Sequence, residues 1–302
     1  VAVIVNPAAG RGRGGRMLAK VRRAFADAGV LDVRVTRRPG EEEELARQAV
    51  EDGASTLVAV GGDGTWSNVG HAIVSAGSRC RLALLAAGTG NDFARSVGAP
   101  AHDLAATVRL AVGGPDLPVD VGRVENRHFL NVAGFGFTAA VLEGLAEIPA
   151  LRGRALYAAS ALRRIFGFRG VAVTSSSGHD WLSSSGPLLL LVIANGQRFG
   201  GAFRIAPGAS LTDGELDCVA IREVSAPVRL RLFAAATRGR HVRHPAVRTE
   251  RAARFGLRFP SPPAYDTDGE VRRASFAELE VTCVPRALRV VVPRSAHPPS
   301  GS

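Results

Sequence analysis

The first third of the chain alternates short apolar runs with longer amphipathic stretches. Val1 to Val5 is apolar and ends at Asn6-Pro7-Ala8-Ala9-Gly10, after which Met17, Leu18, Val21, Ala24 and Phe25 recur at helical spacing. Gly29 stops that helix, and Leu31 to Thr36 reads as a second strand. Glu41 to Glu44 opens the next helix, where carboxylates suit the positive end of the helix dipole. The β-branched run Thr56 to Val60 breaks off at Gly61-Gly62-Asp63-Gly64-Thr65, and a helix is predicted from about Thr65 to Ala76. Leu82 to Leu85 ends in Ala86-Ala87-Gly88-Thr89-Gly90-Asn91-Asp92. Three strands thus end in loops of small residues. In a parallel α/β sheet such ends line one crevice, which is where these folds bind ligands.

The pattern changes after about Gly113. Strand-like runs follow at Val119 to Val124, Phe129 to Val132, Gly170 to Thr174, Leu188 to Ala194, Leu216 to Ile221, Leu257 to Phe259, Phe276 to Val281 and Leu288 to Val292. Short strands with Gly, Pro and Ser turns predict a β-sandwich. Two helical insertions interrupt it, at about Ala150 to Phe166 and Val228 to Arg238, and Ser175 to Ser185 reads as a loop. The expected architecture is an α/β N-terminal nucleotide-binding domain over 1–118, with a parallel sheet in three layers. A mainly β C-terminal sandwich domain follows over 119–293, and then a flexible tail over 294–302.

Charge narrows the partners. The 302 residues carry a formal net charge of +11, with Lys20 the single lysine. An anionic partner is implied: a membrane surface, a nucleotide or a nucleic acid. Cys80, Cys218 and Cys283 are too widely spaced for a zinc or disulfide pattern, which fits a reducing cytoplasm. The apolar start is too short for a signal peptide. The run Leu188 to Ala194 falls far short of the ~20 residues of a membrane-spanning helix. His241 and His244 have metal-compatible spacing but no third ligand.

The candidate chemistry lies in three motifs. Glycines in Gly61 to Gly64 let the backbone approach a bound group, and the following helix offers unpaired N–H groups, which together make a phosphate cradle. Asp63 would repel a bare phosphate, so a Mg2+ between them is expected. The turn Asp213-Gly214-Glu215 can hold a hard cation or be a plain β-turn. Asp266-Thr267-Asp268-Gly269-Glu270 sets three carboxylates around one turn, where one could accept the proton of an attacking hydroxyl.

With these motifs in order, the chain resembles the diacylglycerol-kinase-like lipid kinases, a family that includes bacterial lipid kinases and the sphingosine and ceramide kinases. The resemblance rests on Asn6 to Gly10, Gly61 to Thr65, Gly88 to Ala94, Asn195-Gly196 with Gly200-Gly201, Asp213 to Asp217, and Asp268 to Glu270. It implies an ATP- and Mg2+-dependent transfer of the γ-phosphoryl group to a hydroxyl of a membrane lipid such as diacylglycerol, in a cleft between the two domains. By motif, Asn6, Pro7, Ala8, Ala9, Gly10, Thr36, Gly61, Gly62, Asp63, Gly64, Thr65, Trp66, Ser67, Asn68, Gly88 and Thr89 stand as nucleotide-binding positions. Asp268 stands as general base, with Glu270 beside it in the metal and phosphate network. Asp63, Asp92 and Asp120 resemble the aspartates that hold catalytic Mg2+ through water. Asp213, with the carbonyls of Ser210 and Glu215, resembles a structural Mg2+ site. Thr212 stands where many members have aspartate, and Ala86-Ala87 replaces the common Pro-Leu.

Two other readings stay open. NAD kinases and phosphofructokinases share Gly-Gly-Asp-Gly, and a non-catalytic basic membrane-binding module would suit the charge. No nucleic-acid-binding motif is visible. A cytoplasmic location, peripheral at the inner face of the membrane, is expected, and a homodimer is left open. The stretch Leu151 to Phe166 could dock on anionic lipid, with Arg152, Arg154, Arg163 and Arg164 beside Tyr157 and Phe166, or simply pack on the sandwich.

Overall fold

The computed structural model describes residues 1–144, 160, 163–178, 181–182 and 186–296. The chain divides into two compact units, Val1–Asp120 with Arg286–Ser302, and Val121–Pro285.

The first unit is a parallel α/β sheet. Its strands are β1 (Ala2–Val5), β2 (Val33–Val35), β3 (Thr56–Gly61) and β4 (Arg81–Ala86), in the order β2-β1-β3-β4. β1, β3 and β4 are almost wholly buried and read as near-continuous apolar runs, as a sheet covered on both faces requires. Val3, Val5, Val58, Val60, Ala83 and Leu85 point to one face, where they pack with Val21 and Phe25 of α1 (Ala9–Ala26) and Val108 and Ala111 of α5 (Leu104–Gly113). α2 (Glu41–Glu51) and α3 (Asp63–Ser75) pack against each other and on the sheet, giving the third layer. α3 begins at Asp63, two residues before the sequence pattern places it.

The second unit is the sandwich. Its six-stranded sheet runs β11-β10-β9-β7-β13-β14, antiparallel at every pairing. Its strands are β7 (Val132–Gly136), β9 (Leu188–Ala194), β10 (Leu216–Arg222), β11 (Val247–Ala252), β13 (Ala264–Thr267) and β14 (Glu270–Arg273). Phe135, Leu191, Ile193, Cys218 and Ala220 from this sheet share a core with Phe255 and Leu257 of β12 (Arg254–Arg258) and Leu279 and Val281 of β15 (Glu278–Val291). Cys218 is thus a packing residue, and burial pushes its thiol up. Leu190, Val192 and Val219 face the other way. They meet α6 (Phe137–Glu143), α7 (Ala226–Ala236), Ile165 and the loop carrying Ile205.

The predicted second domain ran from 119 to 293, but from Arg286 the chain belongs to the first unit. Phe276 to Val281 and Leu288 to Val292, predicted as two strands, form the single strand β15. Arg286 takes φ +52 within it, and Asp120 Oδ1 accepts its amide at 2.7 Å. Beyond Arg286 the strand pairs with β4 in parallel, through Arg289 and Val290. The predicted strand Gly170 to Thr174 is reduced to one bridge at Val171 and the pair Thr174–Ser175 (β8). Most of the Ala150 to Phe166 insertion, and part of the Ser175 to Ser185 loop, lie outside the described residues, as does the tail beyond 296.

Candidate active site

The first group of site residues sits where β1, β3 and β4 end. After β1 the backbone enters a left-handed run at Gly10, Arg11 and Gly12, with φ of +57, +61 and +79. Glycine tolerates this where a Cβ would not, and here a Cβ on Gly10 would stand 1.7 Å from the Ala87 carbonyl oxygen. The loop after β1 therefore lies on the loop after β4. The loops after β3 and β4 meet in the same way, since a Cβ on Gly88 would stand 2.5 Å from the Gly62 Cα.

Side chains lock the three loops together. Asn6 Nδ2 donates to Thr65 Oγ1 at 3.0 Å, and Asn6 Oδ1 accepts the Ala8 amide at 3.1 Å. Asp63 Oδ1 accepts the Phe93 amide at 3.0 Å, which satisfies one orphan N–H at the start of α4 (Asp92–Val97). Arg13 reaches the Gly88 carbonyl at 3.4 Å. The result is three small-residue loops whose backbones lie against one another.

Burial sorts the predicted nucleotide positions into two sets. Asn6, Pro7, Ala8, Ala9, Gly10, Gly62, Asp63, Gly64 and Thr89 keep exposed surface. Thr36, Gly61, Thr65, Trp66, Ser67, Asn68 and Gly88 are buried and shape the loops from behind. Trp66 is fully enclosed with its indole donating to the Ala59 carbonyl, and Asn68 donates to Glu42 within α2. Both side chains are buried and hydrogen-bonded within the unit, behind the loop.

The three predicted metal aspartates are not alike. Asp63 is half-buried, whereas Asp92 is buried beside Arg95 at 3.6 Å, and Asp120 is buried on the Arg286 amide. Among the described residues no three acidic, His or Cys side chains converge as direct ligands. Asp63, half-buried at the loop, suits the usual Mg2+ arrangement, in which one or two carboxylates share the ion with substrate phosphates.

At the predicted structural Mg2+ site, Asp213 with the carbonyls of Ser210 and Glu215, an arginine stands beside the carboxylates. Asp213 Oδ1 accepts the Glu215 amide at 3.2 Å, and Ser210 Oγ turns toward Thr212. The Arg251 guanidinium stands 3.6 Å from Asp213, 3.9 Å from Glu215 and 3.6 Å from Asp217, and donates to the Gly208 carbonyl at 3.2 Å. It lies there because Arg251 pairs with Asp217 across β11 and β10. The acidic turn thus has a half-exposed guanidinium beside its three carboxylates.

The second group is the hairpin of β13 and β14. Thr267 pairs with Glu270, so Asp268 and Gly269 form a two-residue loop with φ of +51 and +91. Asp268 does not present a free carboxylate. Its oxygens accept the amides of Leu130 at 2.7 Å, Asn131 at 2.8 Å and Val132 at 3.0 Å. These bonds anchor the hairpin on β7 and fix the position of the carboxylate predicted as base. Glu270 is the accessible carboxylate, its side chain 39% exposed. Arg272 contacts it at 2.9 Å, and the buried Arg127 lies at 4.0 Å. These two arginines were missed. Arg272 was legible as the i+2 neighbour on the same strand face, whereas Arg127 is distant in sequence and nothing local marks it. Beneath the turn Asp266 is fully buried, and burial pushes its carboxyl up to about 7.

A parallel α/β sheet whose strands end in small-residue loops, followed by an antiparallel β-sandwich with a carboxylate hairpin, defines a two-domain α/β and β-sandwich fold. Residues 1–124 match the diacylglycerol kinase catalytic domain, and 131–292 match the YegS C-terminal NAD kinase beta sandwich-like domain. The chain belongs to the family of diacylglycerol kinases and YegS-like lipid kinases. It is 26% identical to the diacylglycerol kinase of Bacillus subtilis, over 97% of this chain and 96% of that one. It is 31% identical to the "Probable lipid kinase YegS-like" of Klebsiella pneumoniae, over 94% of each. A solved structure titled as a diacylglycerol kinase from Bacillus anthracis superposes with a TM-score of 0.75, at 22% identity over 98% of both chains, which shows the shared fold.

Proposed function

We propose that this chain is an ATP-dependent lipid kinase that phosphorylates a hydroxyl of a diacylglycerol-type lipid. The observation that carries this reading is the contact of Gly62 with Gly88 and of Gly10 with Ala87, which leaves a surface of backbone suited to phosphate groups. Asn6 to Gly10, Gly62 to Gly64 and Thr89 would seat the nucleotide phosphates. Asp63 would hold a Mg2+ carried by the nucleotide, and that ion supplies charge neutralisation at the phosphates when bound. Asp92 and Asp120 would act from behind, by fixing α4 and β15.

In the transfer, the acceptor oxygen attacks the γ-phosphorus and the bond from that phosphorus to the bridging oxygen breaks. ADP leaves, and the hydroxyl proton passes to a carboxylate. Glu270 is the residue we assign as acceptor of that proton, because Asp268 is engaged by three amides. The lipid lies in a bilayer, so the enzyme works peripherally at the cytoplasmic membrane face, where ATP is available. No helix among the described residues is long and apolar enough to cross a membrane.

The test is incubation with labelled ATP and a panel of diacylglycerol, monoacylglycerol, ceramide, sphingosine and phosphatidylglycerol, with NAD and fructose 6-phosphate as soluble acceptors. Label in a lipid product is the expected result. Label in NAD or the sugar alone would overturn the reading.

A further inference from the structure

On the outer side of the six-stranded sheet, α7 and the helical residues 163–167 lie side by side. Arg229 joins them. It is buried, and its guanidinium donates to the Ile165 carbonyl at 2.6 Å, to the Val224 carbonyl at 2.9 Å and to Glu223. Below them Phe168 and Phe233 both pack on the Phe137 ring, at 5.6 and 5.1 Å between centroids. The two segments are therefore held firmly from the inside.

Their outer face brings exposed apolar and basic side chains together. Phe166 is 67% exposed and Leu230 is 43% exposed, two of the few large apolar side chains in solvent among the described residues. Along α7 the exposed positions are Pro227, Leu230, Arg231 and Ala234, spaced as one helical face, and Thr237 and Arg238 are exposed in the turn after it. Arg163, Arg169 and Arg240 are exposed beside them. From Arg163 to Gly178, and from Val224 to Val247, the sequence contains no acidic residue. Among the described residues no carboxylate pairs with Arg231, Arg238 or Arg240. By contrast Arg34, Arg251, Arg254 and Arg258 all face acidic partners.

Arg231, Arg238 and Arg240, with no carboxylate partner among the described residues, lie around exposed apolar tips, and that combination matches an anionic bilayer. Phe166 and Leu230 can enter the acyl boundary while the arginines stay at the headgroups. We propose that the exposed face of α7, with Phe166 and its flanking arginines, is the surface by which this protein docks on anionic membranes. The proposal rests on the lipid-kinase reading for its purpose, but its test does not use kinase activity.

The full-length protein is co-sedimented, without ATP or acceptor lipid, with vesicles of phosphatidylglycerol and phosphatidylcholine, and with phosphatidylcholine alone. The wild type pellets with the anionic vesicles and is released as salt screens the charges. Each arginine near an anionic surface contributes about 1 kcal/mol, or roughly fivefold in partitioning. Arg231→Gln/Arg238→Gln/Arg240→Gln therefore loses roughly 100-fold, and Phe166→Ser/Leu230→Ser also weakens binding, with melting temperatures unchanged. The control Lys20→Gln/Arg22→Gln/Arg23→Gln removes the same charge from exposed positions on α1 and keeps wild-type binding. Equal losses in the α7 and α1 triples would overturn the proposal in favour of net charge alone. Wild-type partitioning of the α7 triple would overturn it as well. Vesicle binding without lipid phosphorylation would instead count against the kinase reading.

Discussion

Gly88 lies so close on Gly62 that an added Cβ would stand 2.5 Å from the Gly62 Cα and 3.0 Å from Asn91 Oδ1. Both neighbours are fixed, one as backbone and one in a buried side chain, so the loops must part to admit a methyl group. Overpacking of this kind costs roughly 1–3 kcal/mol. Gly88→Ala is expected to lower ATP affinity about tenfold or more while the circular dichroism spectrum stays unchanged. Calorimetric titration with MgATP measures it. Unaltered affinity would remove this contact from the nucleotide site.

Asp268 and Glu270 are predicted to fail differently. Asp268→Asn places an NH2 group where an amide N–H now donates, and weakens hydrogen bonds to a charged group worth about 1.5–3 kcal/mol each. Its melting temperature should fall by several degrees. Glu270→Gln should keep the melting temperature and lose roughly 100-fold or more in turnover, the usual share of a general base. A Glu270→Gln protein with near-normal turnover would return the search to other carboxylates.

Local signals made the loops legible, and long-range hydrogen bonds decided the roles within them. Each of β1, β3 and β4 ends in its own small-residue motif, so the sequence alone places the three loops at the strand ends. The choice between Asp268 and Glu270 depends on amides of Leu130 to Val132, more than 130 residues away, and no spacing rule reveals it. The hairpin of β13 and β14 was legible only as a turn, because Asp266-Thr267-Asp268 reads as polar although Asp266 and Thr267 are buried. β15 was split in two by Pro285-Arg286, since nothing nearby shows that Asp120 steadies the irregularity. Arg251 becomes visible as a counter-ion only once the register pairs it with Asp217.

Asp266 predicts a pH dependence of stability. Its carboxyl rises from 3.8 to about 7 through burial, against the opposing pull of Thr138 and with a further push from the Asp268 charge. Below pH 4 both folded and unfolded chains are protonated there, and the residue contributes nothing. As pH rises from about 4 to 7 the unfolded chain gives up the proton while the folded chain keeps it, so stability falls and then levels off. Three pH units correspond to roughly 4 kcal/mol as an upper figure. Asp266→Asn keeps the shape without the charge. Denaturant melts should show it more stable than the wild type at pH 8, with the difference shrinking toward pH 5. A constant difference across that range would mean that Asp266 does not titrate as its burial implies.

Arg251 predicts indifference to magnesium where a structural ion would be expected. Its guanidinium offsets one of the three charges of Asp213, Glu215 and Asp217 and ties down the Gly208 carbonyl, so the turn has a cation in place. The side chain is 44% exposed, which limits what each ion pair contributes to about 1 kcal/mol or less. In the absence of nucleotide, the wild-type melting temperature should be the same in EDTA and in millimolar MgCl2 at matched ionic strength. Arg251→Gln should melt slightly lower in EDTA, because three carboxylates then repel one another across a short turn. Added Mg2+ should restore that loss, since the freed carboxylates become hard-cation ligands. Asp213→Asn in the Arg251→Gln background should abolish the rescue. A wild-type protein that loses several degrees in EDTA would show instead that the turn holds an ion alongside Arg251.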